Sequence, residues 1–378
     1  MAEVLSLLTD FTLRNVMLGA ALLGVTSGVL GSFALLRQQS LLGDALSHAA
    51  LPGVALGFLV AGGRQLVPIL LGALFTGALA ALFMILLVRR SRLKTDAALG
   101  AALSIFFAFG IVLLTYIGNQ NNAGQAGLEA FLFGQAASII PSDVATMAVI
   151  AALALGIVLL FWKEFKVVSF DPEFAGSLGF PVLALELTMT VMVALAIVMG
   201  LQMVGVVLMA SMIVAPAAAA RQWSPRLEPM VLLAALFGAL SGVTGAVLSA
   251  TGRNLATGPL IVIAASVIVG VSLLVAPQRG LVWWALRNRR TRRQLQTQQV
   301  LTDLYHLAST HDDPHYPAEI GMIDSYYGTS TRRLLGRLED QGYAERVTHM
   351  QGEGQHWSLT SEGFSEAQKV LDDLGSPA

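Results

Sequence analysis

The sequence predicts an all-α polytopic membrane protein of eight or nine transmembrane helices, followed by a small soluble domain. Three observations carry this. The 378 residues are 55% hydrophobic and only 12% charged, against about 25% charged in an average soluble domain. Apolar runs of bilayer-spanning length recur along the chain, and the mean hydropathy is +0.69. The charge is also split: residues 1–296 carry a net +7 and residues 297–378 a net −8. Such a shift marks a domain boundary. The expected organisation is a membrane domain over 1–281, a basic juxtamembrane linker over 282–296 and a soluble domain over 297–378.

Nine spans are expected, at 13–36, 43–62, 66–88, 97–117, 142–162, 182–201, 203–220, 229–250 and 258–276. The stretch 182–220 is too long for one crossing and is divided near Gly200; kept whole, it leaves eight spans. With the N-terminus outside, fifteen Lys and Arg residues fall on the cytoplasmic side and only Arg14, Arg64 and Arg253 on the outer side. That bias places the C-terminal domain in the cytoplasm of a bacterial inner-membrane protein. The N-terminus carries acidic residues where a signal peptide would be basic, so no cleavable signal is expected.

Within the spans, Gly and Ala are abundant, as in "LGAALLGVTSGVLGSFALL". Small residues let helix backbones approach closely in lipid, and ordinary bundle packing is the favoured reading. Residues 119–140 read as an outer loop with a short surface or re-entrant helix. Trp283 and Trp284 followed by "RNRRTRRQ" (287–294) read as an interfacial anchor to membrane lipid.

Asp44 and His48 stand four apart in "GDALSHAALPG" (43–53) and share one helix face. Ionisable groups in a span are costly and usually functional, and a carboxylate with an imidazole suits Mn²⁺, Zn²⁺ or Fe²⁺. On spacing alone, an interhelical hydrogen-bonded pair without metal is an equal alternative. His48 is the sole histidine before residue 297, and the chain has no cysteine, so thiolate ligands and disulfides are excluded. Phe170, Asp171, Pro172, Glu173 and Phe174 lie between two spans on the cytoplasmic side, where a short helix could dock into a partner's groove; a plain loop capped by Asp171 is the alternative. Met209, Ser211 and Met212 are candidates for lining a path, although methionine in a span more often packs. Glu186, near the cytoplasmic end of the sixth span, reads as a relay or gate residue or as one that simply reaches the interface, and the latter is favoured. No G-x-x-x-x-G-K-[ST] phosphate loop is present, so ATP binding in that mode is excluded.

The segment around Asp44 and His48 closely resembles the second-helix signature of the metal-type ABC permeases, which import manganese, zinc or iron. "FDPEFAGSLGFP" (170–181) resembles that family's coupling segment, "VGVVLMASMIVAPAAAAR" (204–221) its late pore-side helix, and "TGPLIVI" (257–263) with "APQRG" (276–280) its end. The resemblance spans about residues 13–281. It implies a permease subunit that is not itself an enzyme and holds no permanent cofactor. It further implies a partner ABC ATPase, an extracytoplasmic metal-binding protein, and a second permease copy or a sister permease. Asp44 and His48 would contact the transported metal, with manganese favoured over zinc or iron. An ion-coupled secondary transporter and a membrane-tethered regulator are the rival classes; spans nearly empty of charge and an acidic tail speak against them.

In the tail, helices are expected near 297–309, 318–324 and 329–341, strands at 343–348 and 356–359 joined by "QGEG", and a last helix from Ser361. That order is a winged helix. "TSTRRLLGRLEDQGYAERV" with "WSLTSEG" resembles the N-terminal domain of the iron-dependent repressor family. Arg332, Arg333 and Arg337 lie on the expected recognition helix, but a net charge of −8 argues against DNA as a partner. "HDDPH" (311–315) reads as a solvated loop more readily than as a metal sensor.

Overall fold

The structure, a computed structural model, describes residues 11–62, 65–119, 134, 136, 139–201, 203–251, 255–277, 280–311, 313–319, 331–347 and 356–375. It divides into two units, Met1–Leu281 and Val282–Ala378.

The first unit is a helical bundle of α1 (Phe11–Leu36), α2 (Leu42–Ala61), α3 (Leu66–Arg90), α4 (Thr95–Gly118), α5 (Pro141–Leu160), α6 (Trp162–Phe170), α7 (Pro172–Ser177), α8 (Val182–Leu201), α9 (Val206–Trp223), α10 (Leu227–Thr251) and α11 (Thr257–Val275). Eight of these, α1–α5, α8, α10 and α11, are long and apolar enough to cross a membrane, which makes this a multi-pass membrane protein. The 18-residue α9 packs among them, against α1, α2, α10 and α11.

Ion pairs and ring contacts gather one set of helix ends. Glu186, in the second turn of α8, pairs with Arg37 just after α1 and with Arg89 at the end of α3. Lys166 of α6 pairs with Glu228 at the start of α10. The rings of Trp162 and Phe165 on α6 stand edge-on to Phe33 near the end of α1. Since α8 and α10 both begin at this basic end, α9 must carry the chain back to it. Nine helices therefore traverse the bundle among the described residues. The break between α8 and α9 falls near Gly200, as expected: α8 ends at Leu201, α9 begins at Val206, and Gly205 takes φ 86°. That left-handed backbone suits glycine, and Gly200 stays helical.

The most extensive helix pairing is α1 with α10. Gly24 and Gly238 face each other so closely that a Cβ on either would collide with the other's carbonyl oxygen. The same approach recurs between Gly53 of α2 and Gly72 of α3. Small residues therefore serve bundle packing, as the sequence suggested. Buried hydroxyls are satisfied within their own helices: Ser32 donates to the Gly28 carbonyl at 2.8 Å and Ser47 to that of Gly43 at 2.6 Å. Residues 120–133, where a surface or re-entrant helix was expected, lie outside the described residues.

In the second unit, α12 (Leu281–Thr310) is one continuous helix through the stretch expected to be a basic linker. Then come β1 (Ala318–Glu319), α13 (Thr331–Asp340), β2 (Ala344–Val347), β3 (His356–Leu359) and α14 (Ser361–Gly375). The strands form an antiparallel sheet in the order β1-β3-β2. The helix expected at 318–324 is corrected at its start: Ala318 and Glu319 pair with Trp357 and His356 as a short strand. Val300, Leu301, Leu304, Leu334, Leu335, Leu338 and Trp357 supply a separate core.

The α1–α10 contact yields a direct expectation. Gly238→Ala forces the two backbones apart and should destabilise the protein by about 1–3 kcal/mol, the usual range for overpacking. Gly156→Ala, with nothing within 4 Å of the added carbon, should be neutral or slightly stabilising. Thermal unfolding of the detergent-purified variants reads the difference.

Candidate functional site

Asp44 and His48 lie in the first two turns of α2. His48 Nε2 stands 3.4 Å from Asp44 Oδ1, with the side chains 19% and 38% exposed, respectively. The other ring nitrogen, His48 Nδ1, is buried and has no hydrogen-bond partner. The imidazole meets the ring of Phe107 edge-on at 4.8 Å.

That contact gives the depth of the pair. Phe107 is the thirteenth of the 24 residues of α4, so His48 lies near the middle of the bundle. The reason is the offset of α2. The chain turns sharply after α1, with Gln38 and Gln39 donating to the carbonyls of Leu35 and Ala34, and Gln38 takes the left-handed φ of 58°. The first turn of α2 then packs inside the bundle: a Cβ on Gly43 would stand 3.2 Å from Ala210 Cα and 3.4 Å from Ile213 Cδ1. Ile213 lies ten residues before the end of α9 at Trp223, about 15 Å along a helix. The start of α2 is therefore packed against the middle of α9.

Among the described residues, no group of three or more His, Asp and Glu side chains could hold a metal ion. Nearby, the segment carrying Met209, Ser211 and Met212 runs against Gly43 through Ala210. Met209 and Met212 are fully buried, and Met209 packs tightly on Gly200 of α8; both thioethers fill the chain's own core. Ser211 is partly exposed.

At the basic end, α7 is a one-and-a-half-turn helix (Pro172–Ser177). Asp171 caps it by accepting from the Phe174 N–H at 2.9 Å, and Pro172 opens it, as those residue types favour. Phe170, Phe174 and Leu178 expose more than half of their surface around it, and Glu173 is exposed beside them. Three large apolar side chains are thus exposed together around a short polar element.

Behind α7 is a cleft of about 630 Å³ walled by the α1–α2 turn, α3, α4, α7 and α8. Glu186 was expected to reach the interface; instead it lies in this cleft between two guanidinium groups, 3.6 Å from Arg37 and 2.9 Å from Arg89. The Arg37 side chain is only 9% exposed. Sequence reading missed these two partners and Phe107. An acidic residue inside a span is the signal that could have prompted the search for an arginine.

In the second unit, Arg332 and Arg333 are exposed on α13 and Arg337 is half-buried. The ring of His311 stacks on Tyr316 at 3.9 Å and its Nδ1 lies 2.9 Å from the Leu307 carbonyl. His315 Nδ1 lies 2.9 Å from the Leu359 carbonyl, and Asp313 accepts from the His315 N–H at 3.0 Å. Asp312 lies outside the described residues.

The family model described as the ABC 3 transport family matches residues 9–276. The manganese transport system membrane protein MntC of Bacillus subtilis (strain 168) is 42% identical over 351 residues, covering 93% of this chain and 80% of that protein. That match is longer than the first unit and so extends into the second. The zinc transport system membrane protein TroC of Treponema pallidum (strain Nichols) is 43% identical over 290 residues, covering 77% of this chain and 97% of that protein. The solved structure of PsaBC from Streptococcus pneumoniae in complex with Fab aligns with a TM-score of 0.65 at 33% identity, covering 74% of this chain and 97% of that chain.

Proposed function

The chain belongs to the ABC 3 transport family, and we propose that it is the permease subunit of an ATP-driven importer of divalent transition metal, with manganese as cargo. The Asp44–His48 pair carries this reading. At the 3.4 Å separation of Nε2 and Oδ1, one ion at the usual bond length of about 2.0–2.2 Å can touch both donors. A partly exposed carboxylate at mid-membrane is too costly to face lipid. A second copy of the chain, or a sister permease, meeting it across this face supplies the missing ligands and covers Asp44.

Oxygen and imidazole donors without thiolate favour manganese. Relatives named for manganese and for zinc are almost equally similar to this chain, so zinc is the second reading. An extracytoplasmic metal-binding protein delivers the ion, and the metal is cargo, with no permanent cofactor. The energy comes from a partner ABC ATPase docked on Phe170–Phe174, which places α7 in the cytoplasm and the protein in a bacterial inner membrane. The second unit, read as a winged helix on the cytoplasmic side, serves as an interaction or regulatory module.

Uptake of radioactive Mn²⁺, Zn²⁺ and Fe²⁺ tests the assignment, in cells where variant and wild-type protein levels match. His48→Ala and Asp44→Ala should each cut uptake at least tenfold, and the double variant should be no worse, because ligands of one ion act as a unit. Normal uptake by both single variants would remove the pair from the path, and the metal that competes best in the wild type identifies the cargo.

Docking on α7 has its own check. Phe174→Ala should leave the permease inserted and folded but reduce co-purification of the ATPase severalfold. Undiminished co-purification would place the contact elsewhere.

The net charge of −8 over residues 297–378 leads us to expect no strong DNA binding by the full chain at physiological salt. A gel shift with detergent-purified protein that gave nanomolar, sequence-specific binding would reverse the assignment of this unit.

A further inference from the structure

Arg37, Glu186 and the half-exposed Arg89 form a charge cluster in the described part of the first unit that metal contact and ATPase docking leave unused. They also sit where those two functions must communicate. Starting from α7, the chain turns tightly into α8: Gly179 donates to the Gly176 carbonyl at 3.0 Å, Phe180 to that of Ala175 at 3.1 Å, and Val182 to that of Phe180 at 2.8 Å. This bonded turn ties α7 to the base of α8, so a displacement of one moves the other. Glu186, on that base, grips Arg37 with one carboxylate oxygen and Arg89 with the other.

Arg37 is the next link. It precedes the left-handed Gln38, whose backbone conformation L side chains rarely adopt and which marks a segment held in place by its surroundings. Beside it, Gln39 Oε1 is buried with no partner and faces the same cleft as Glu173, Gly176 and Leu42. Leu42 begins α2, and Asp44 follows within the same turn. The cleft thus has α7 on one wall and the root of the metal-bearing helix on another, and the Glu186 bridge crosses between them.

We propose that Glu186, held between Arg37 and Arg89, is a positioning residue that transmits movement of α7 to α2 and so couples ATP hydrolysis to release of metal from Asp44 and His48. The proposal rests on α7 being the ATPase-docking element. Two arginines on one carboxylate give the link its character. The Arg37 side chain is only 9% exposed, so its charge depends on Glu186; Arg89 is 42% exposed and steadies the carboxylate from α3. A purely structural ion pair would stabilise the bundle without affecting how much metal moves per ATP.

The test uses the full-length permease co-expressed with its ATPase, reconstituted in proteoliposomes with the binding protein and Mn²⁺. Three quantities are read: ATPase co-purification, ATP hydrolysis, and Mn²⁺ transported per ATP hydrolysed. Glu186→Gln should retain the ATPase and its hydrolysis but lower Mn²⁺ per ATP at least tenfold. Arg89→Gln, at a half-exposed position, should lower the ratio in the same direction, and Arg89→Lys should restore most of it. A wild-type ratio in assembled Glu186→Gln overturns the proposal. If Glu186→Gln fails to assemble, a wild-type ratio in Arg89→Gln overturns it equally, and a lowered ratio supports it. Phe174→Ala separates this outcome from failure of the underlying reading: full ATPase association in that variant would refute docking at α7, whatever Glu186 does.

Discussion

Backbone-to-backbone contact between α1 and α10 is the constraint on which the bundle depends. Lipid is as apolar as leucine, so burying side chains drives helices together only weakly, and close packing must do it instead. At Gly24 and Gly238 each backbone lies where the other's Cβ would be. The approach fixes α1 at the centre, and α5, α8 and α9 pack round it. Gly31 of α1 in turn meets the Ile213 carbonyl of α9, and the same stretch of α9 receives Gly43 at the start of α2.

From that placement follows the position of the polar groups. Serine hydroxyls in α1 and α2 are satisfied by carbonyls four residues back in their own helices, so they make no demand on neighbouring helices. The buried side-chain atoms left without a partner in the described part of this unit are Gln39 Oε1, His48 Nδ1 and Trp223 Nε1. Two of the three flank the start of α2. A buried polar atom without a partner costs stability, and its retention on both sides of the α1–α2 turn marks the region as one built for something other than rigidity. The ion cluster at Arg37 and the Asp44–His48 pair are the charged counterparts of the same pattern.

The second unit is governed by ordinary soluble-protein rules. The amphipathic α13 turns Leu334, Leu335 and Leu338 into a small core with Trp357 and leaves Arg332 and Arg333 outward. Its histidines at 311 and 315 each hold Nδ1 2.9 Å from a backbone carbonyl.

Much of this was legible in the sequence because it depends on local pattern. Span lengths, the basic end, the capped helix after Asp171 and the pairing of strands over 344–347 and 356–359 all follow from periodicity, charge and turn residues within a short window. So does the shared helix face of Asp44 and His48, since four residues are close to one helical turn. The depth of that pair was not legible: it depends on Gly43 packing against Ala210, a contact between helices far apart in the chain, which draws the start of α2 into the bundle. Nor could the sequence pair Glu186 with Arg89, 97 residues away, or show that Ala318 and Glu319 complete a sheet. Helical and strand periodicity specify which residues share a face; only tertiary packing decides how deep that face lies and what stands opposite it.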